Sequence, residues 1–211
     1  RSWGAIWPHE IANRLASAAL ESIPPHDEDQ FAASISPRMQ RSFSRRLGYL
    51  HENSAATETV KRWLRPDGPL GDLMVRSEHG LRIISNIAPA APEAVLERIK
   101  CNIDDLASSA ALRLYSDEKF RWVRLLKSLA YDSVTFDEAT TLLGRFAATE
   151  TGKTKNNEAQ RIFAELFHLS LSGTQALPEQ RRSLIRKFAT SDEPYSMVCA
   201  EIALVALLKG S

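Results

Sequence analysis

The sequence predicts an all-α chain, an α-solenoid of stacked antiparallel helix pairs of the HEAT-like or TPR-like kind. Three observations carry this. Apolar residues recur at helical spacing between Ser116 and Ala189, first Phe120, Trp122, Val123, Leu125, Leu126 and Leu129, then Leu142, Leu143 and Phe146. Ile162, Phe163, Leu166 and Phe167 follow, and after them Leu184, Ile185 and Phe188. Second, Glu138-Ala139, Glu158-Ala159 and Glu179 recur at nearly equal intervals, a period that suits one helix and a turn in a repeat array. Third, no stretch sustains the two-residue alternation of a half-buried strand.

Each element has its own signal. A first helix is expected from Pro8, a favoured first helical residue, to Ser22, burying Ile11, Leu15, Ala18, Ala19 and Ile23 before Pro24-Pro25 stops it. His26 to Gln30 reads as an acidic connector and Phe31 to Ile35 as a turn of helix. Ser36-Pro37 then opens a helix with Met39, Phe43, Leu47 and Leu50 on its apolar side. Ser54 caps a helix through Val60, Trp63 and Leu64. The cluster Arg65-Pro66-Asp67-Gly68-Pro69 is the strongest turn signal, and a subdomain boundary within the single repeat domain is expected between Arg65 and Asp72.

From Ser77 a helix carries Leu81, Ile83, Ile84 and Ile87. Pro89 to Pro92 breaks it and opens another with Val95, Leu96 and Ile99, and Asp104 to Leu114 forms a short one. Thr135 and Glu138 are spaced as a capping box, which is worth about 1 kcal/mol and fixes a helix start. Gly152 to Asn157 makes a polar loop, Ser172-Gly173 closes a helix, Pro178 starts the next, and Ser191 starts a buried terminal helix that Gly210 ends.

Composition narrows the function classes. With 211 residues, 44% hydrophobic and 25% charged, the chain can bury a full core or one shared among helix pairs. Its 27 Lys and Arg balance 26 Asp and Glu, so attraction to nucleic acid or an anionic membrane would have to be local. Cys101 and Cys199 sit within apolar helical patterns and make no disulfide framework, which fits a reducing cytoplasm. The apolar run Met197 to Leu208 is too short to span a bilayer, and no secretory leader is recognisable. The start at Arg1-Ser2-Trp3 points to a fragment or processed chain. Trp3 and Trp7 either staple onto the first helix or dock on a neighbouring unit.

No catalytic constellation is expected, and no cofactor or metal. Gly152-Lys153-Thr154 ends like a phosphate loop, but Ala147 stands where the first glycine is needed and a helix precedes it instead of a strand. His9-Glu10 would need a second histidine at Asn13, and His9, His26, His51, His79 and His168 show no ligand spacing. His168, between Phe167 and Leu169, reads as a half-buried interface histidine. No nucleophile elbow is present. Two basic rows are more informative: Arg38, Arg41 and Arg45 with Arg46 beside them, and Arg181, Arg182 and Arg186 with Lys187. Either row could grip phosphates, and the plain alternative is a solvated face paired with acids such as Glu52 or Glu179. Trp63 and Trp122 suit core positions better than a base-stacking platform.

Three phrases carry a family resemblance: PHEIANRL from Pro8, LRIISNIAPAAPEAVL from Leu81, and NEAQRIFAELFHLSLSGTQ from Asn157, together about a fifth of the chain. They resemble the helical-repeat regions of large bacterial signal-transduction ATPases of the STAND class. The resemblance implies a helical arm or C-terminal sensor whose parent couples a nucleotide-binding module to a separate effector, often in defence against phage. The class's nucleotide-binding motifs have no counterpart here. The expected role is therefore a non-catalytic protein-interaction or sensor module, with a protein or other parts of the parent chain as partner and Arg38, Arg41, Arg45, Arg181, Arg182 and Arg186 as contact surface. The alternative is a nucleic-acid-binding helical repeat.

Overall fold

A computed structural model describes residues 8–70, 77–107, 117–150, 158–170 and 172–209. Every regular element among the described residues is helical, so the chain is all-α. It divides into two compact units, Arg1–Arg98 and Ile99–Ser211. The stretch from Arg65 to Asp72, where a subdomain boundary was expected, lies inside the first unit. Expectations for Trp3 and Trp7, the 152–157 loop and Gly210 fall outside the described residues.

The first unit holds α1 (Pro8–Ser22), α2 (Pro25–Ser34), α3 (Pro37–Tyr49), α4 (Ser54–Trp63), α5 (Glu78–Ile87), a short 3-10 turn (Ala88–Ala90) and the start of α6 (Pro92–Ala107). Helix α3 begins where Ser36 accepts from the Met39 amide, and α5 where Ser77 accepts from that of Gly80. The cap of α4 is Asn53 rather than Ser54: its side chain accepts from the Ala56 amide at 2.9 Å. Leu47, Val60, Trp63, Leu81, Ile84, Ile87, Val95 and Leu96 form the core. Helices α3 and α5 cross closely because Gly48 has no side chain; a Cβ there would stand 2.0 Å from the Asn86 carbonyl oxygen. Leu70 is tied back by its amide to the Trp63 carbonyl at 3.0 Å, which closes the proline-glycine turn.

Three further expectations fail in this unit. The segment after Pro24-Pro25 is not a connector but helix α2, with Pro25 at its start and Asp27 and Glu28 in its first turn, where the helix dipole favours them. Glu28 and Asp29 look inward: Arg62 donates to both Asp29 oxygens at 2.8 and 3.0 Å and to Glu28 at 2.9 Å, and Trp63 Nε1 donates to Asp29 at 2.8 Å. Thr59 donates to the buried Glu28 at 2.9 Å. Second, α1 turns its large apolar residues outward. Ile11, Leu15 and Ile23 are exposed because polar side chains dock the opposite edge, Asn13 accepting from Arg46 and Glu21 accepting from Asn53. Third, Met39 is exposed on α3 although Leu47 and Leu50 are buried.

In the second unit α6 continues to Ala107, so the short helix expected from Asp104 is its continuation; 108–114 lie outside the described residues. The unit also holds α7 (Asp117–Leu129), α8 (Ser133–Ala148), α9 (Glu158–Glu165), α10 (Pro178–Thr190) and α11 (Ser196–Lys209). Phe136, Phe146, Phe163, Phe167 and Phe188 are buried together, with ring centroids 5.1 Å apart for Phe163 and Phe167 and 6.0 Å for Phe163 and Phe188. Trp122 is buried with Val123, Leu125 and Leu126, a core position as expected.

Helix α10 begins at Pro178 as expected, whereas the starts of α8 and α11 differ from the expectation. Asp132 caps α8 by accepting from the Val134 amide at 2.8 Å, so Thr135 lies one turn inside, buried and donating to the Leu129 carbonyl, and no capping box forms. Glu138 instead pairs with Lys100 at 2.9 Å. The recurring glutamates are therefore not equivalent, since Glu138 is mid-helix whereas Glu158 and Glu179 open theirs. Helix α9 ends at Glu165, before Ser172-Gly173; Gly173 takes a φ of 66° in the turn that follows. Ser191 accepts from the Glu193 amide in a turn ahead of α11 rather than opening that helix.

Glu150 organises three elements that no local motif announces. Its carboxylate accepts from the Ala159 and Gln160 amides at 3.2 and 2.9 Å, capping α9 from a distance, and pairs with Lys119 of α7 at 2.9 Å. Helix α11 packs on α8, α9 and α10 through a face of small residues, Ser196, Cys199, Ala200, Ala203 and Ala206. That face comes close enough to α8 that a Cβ on Gly144 would stand 2.7 Å from Cys199 Sγ. Burial pushes the Cys199 thiol up to about 12. Cys101, expected within an apolar pattern, is exposed instead.

Candidate interaction surfaces

The two arginine rows meet different fates. Arg181 is buried at 5% exposure: it donates through Nε to the Ala176 carbonyl at 3.1 Å and through Nη1 to that of His168. It ties the turn before α10 to the end of the α9 region and belongs to no surface, and burial lowers its pKa. Arg182 is exposed and pairs with Glu179 at 2.8 Å, an i,i+3 pair of the solvated kind. Arg186 and Lys187 are exposed beside it. His168 is half-buried with its carbonyl held by Arg181, a structural position.

On α3 the row is intact. Arg38 and Arg45 are exposed and Arg41 half-buried, at i, i+3 and i+7 on one face. Ser42 and Tyr49 are exposed on the same helix, opposite the buried Leu47. Arg46 is turned aside to Asn13, with its guanidinium carbon 5.9 Å from the Tyr49 ring centre. Among the described residues no carboxylate forms an ion pair with Arg38, Arg41 or Arg45. Glu78 of α5, which packs on α3, pairs with Arg82 at 2.8 Å.

The surface that sequence reasoning missed is on α11. Met197, Leu204, Val205 and Leu208 are exposed to 67, 47, 44 and 67%, with Val198 alongside. They cluster through i+3, i+4 and i+7 spacings, and Glu201 sits exposed among them. The signal was present as the apolar run itself. Both faces of α11 are apolar, so periodicity gives no direction, and a fully buried helix is what the run by itself implies. Packing chose the small-residue face, where the backbones of α8 and α11 can approach. The larger residues were left outside, where full burial of each is worth about 1.5 to 3 kcal/mol. A concentrated exposed apolar surface on a helix marks a contact site more often than an accident.

Among the described residues no group of three or more His, Cys, Asp or Glu is arranged to hold a metal ion. No described helix is long and apolar enough to cross a membrane. No family model, curated protein or solved structure matches the chain.

Proposed function

We propose that the chain is a non-catalytic protein-interaction or sensor module of a larger bacterial signalling protein, of the kind that guards against phage, and that α11 is its principal contact face. The α-solenoid of stacked helix pairs, the cytoplasmic location and the helical arm of a STAND-class ATPase belong to this same reading. One observation carries it: the outward side of α11 bears Met197, Val198, Leu204, Val205 and Leu208, while its inward side is made of small residues. A second helix laid along that side would bury them at helical spacing, the helix-in-groove mode of recognition.

Glu201 specifies the occupant further. It stands within the apolar surface, and among the described residues no cation forms an ion pair with it. Burying a lone carboxylate is costly, so the covering segment must bring a lysine or arginine to it. The partner is thus an amphipathic helix with a cationic residue in its apolar face, from another protein or from elsewhere in the parent chain.

A photo-crosslinking amino acid at Leu204, in the full-length protein expressed in its bacterial host, tests this. The expected result is one dominant product mapping to a basic amphipathic helix, lost in Glu201→Lys. No product beyond that of a probe at the exposed Ser183, or a product indifferent to Glu201→Lys, overturns it.

A further inference from the structure

Helix α3 departs from the charge balance of the chain. Its segment PRMQRSFSRRLGY contains four arginines and no acid, in a protein whose formal net charge is +1. We infer that α3 grips the phosphodiester backbone of a nucleic acid through Arg38, Arg41 and Arg45, with Tyr49 beside them as a stacking surface for a base. This site lies in the first unit and is separate from α11.

Four features lead to this partner. The three guanidiniums share one face, and among the described residues none forms an ion pair with a carboxylate, so no internal partner must be displaced. A guanidinium fork matches phosphate oxygens in geometry as well as charge. The row runs about 10 Å along the axis at 1.5 Å per residue, while each strand of a duplex offers a phosphate about every 3.4 Å along its axis. Each arginine can therefore meet its own phosphate. The exposed Tyr49 ring adds what an acidic polypeptide would not use, a flat aromatic face next to the cations.

The orientation of the row follows from the fold. Leu47 faces the core, Ser44 holds the Asn86 amide at 2.9 Å, and Gly48 sits tight against the Asn86 carbonyl, so the opposite side of α3 is fixed outward. Arg38 and Arg45 are exposed on that side.

Fluorescence anisotropy of the intact chain with labelled poly-uridine RNA and with a mixed-sequence DNA duplex provides the test, run between about 50 and 200 mM salt. Three phosphate contacts predict a slope of log affinity against log salt near −2.7 on the duplex and near −2.1 on the single strand. Arg38→Gln with Arg45→Gln should weaken binding at least about tenfold at low salt and bring the duplex slope to about −0.9. Tyr49→Ala should weaken the single strand about tenfold and leave the duplex unchanged, and an unchanged single-strand affinity overturns the stacking role. An Arg182→Gln control on α10 should bind like the parent. The inference is overturned if neither nucleic acid binds at low salt, if the double variant keeps the parental slope, or if poly-glutamate binds the same row as tightly as RNA. Melting temperatures of the variants equal to that of the parent show that the fold survives the substitutions.

Discussion

Gly144 and Cys199 mark the closest approach of α8 and α11. A methyl at Gly144 would stand 2.7 Å from the Cys199 sulfur and 3.1 Å from the Phe163 ring, inside van der Waals contact with both. Neither neighbour yields easily, since both are fully buried. Overpacking of this kind typically costs about 1 to 3 kcal/mol, so Gly144→Ala should lower stability by that amount in urea denaturation. Shortening the opposing side chain makes room. Gly144→Ala combined with Cys199→Ala should be more stable than the sum of the two single losses predicts, by about 1 kcal/mol in a double-mutant cycle. Strict additivity would mean that the helices part to accommodate the methyl, and that the small-residue face of α11 does not set their spacing. None of this was legible in the sequence. Gly144 lies mid-helix without a turn to explain it, and only the partner helix reveals its purpose.

At the scale of elements, the sequence located helices better than it located their caps, directions and partners. Ser36-Pro37, Ser77 and Pro178 announced helices that begin there, because the signals are local: a side-chain acceptor or a ring that fixes φ. Thr135 failed because Asp132, three residues earlier, caps equally well and captures the start of α8. The last turn of α2 was expected from Phe31, but its first half was missed because its charged residues look like a solvated connector until Arg62 and Trp63 of α4 donate to them. Glu150 capping α9 across the 151–157 segment is likewise a tertiary fact. The basic rows show the same limit: Arg38 and Arg45 are exposed and Arg41 half-buried along one side of α3, whereas Arg181 had the same local appearance and is an internal tie.

The pairing of α7 with α9 gives this scale its own test. Burial works to raise the Glu165 pKa, but the hydrogen bond and charge of Lys127, at 2.8 Å, together with Arg161 and His168, outweigh it and hold the carboxyl below its ordinary value of 4.5. A folded-state pKa depressed in this way stabilises the protein above the unfolded value, and the contribution is lost as pH falls through the folded one. Lys127→Met removes the main partner. The stability difference between parent and variant should therefore be constant from about pH 7 down to the ordinary carboxylate range and shrink below it, as measured by urea denaturation across that span. A difference that stays level into acid would mean that Lys127 contributes through packing of its alkyl chain alone.

At the scale of the whole molecule, the two candidate surfaces fall in different compact units, the α3 arginines in 1–98 and the α11 apolar face in 99–211. They also differ in physics. Contact through Arg38, Arg41 and Arg45 is driven by release of counterions and weakens steeply with salt. Contact through Met197, Leu204, Val205 and Leu208 is driven by removal of apolar area from water, with only the Glu201 pair sensitive to ionic strength. The surfaces should therefore be separable by mutation and by salt. Leu204→Glu with Leu208→Glu should abolish crosslinking to the helical partner while leaving poly-uridine affinity within about twofold and its salt slope unchanged. Arg38→Gln with Arg45→Gln should do the reverse, and raising salt from about 50 to 200 mM should strip the nucleic acid while the crosslink persists. If either pair of substitutions removes both activities with the fold intact, the two surfaces do not act separately, and a single partner must engage them together.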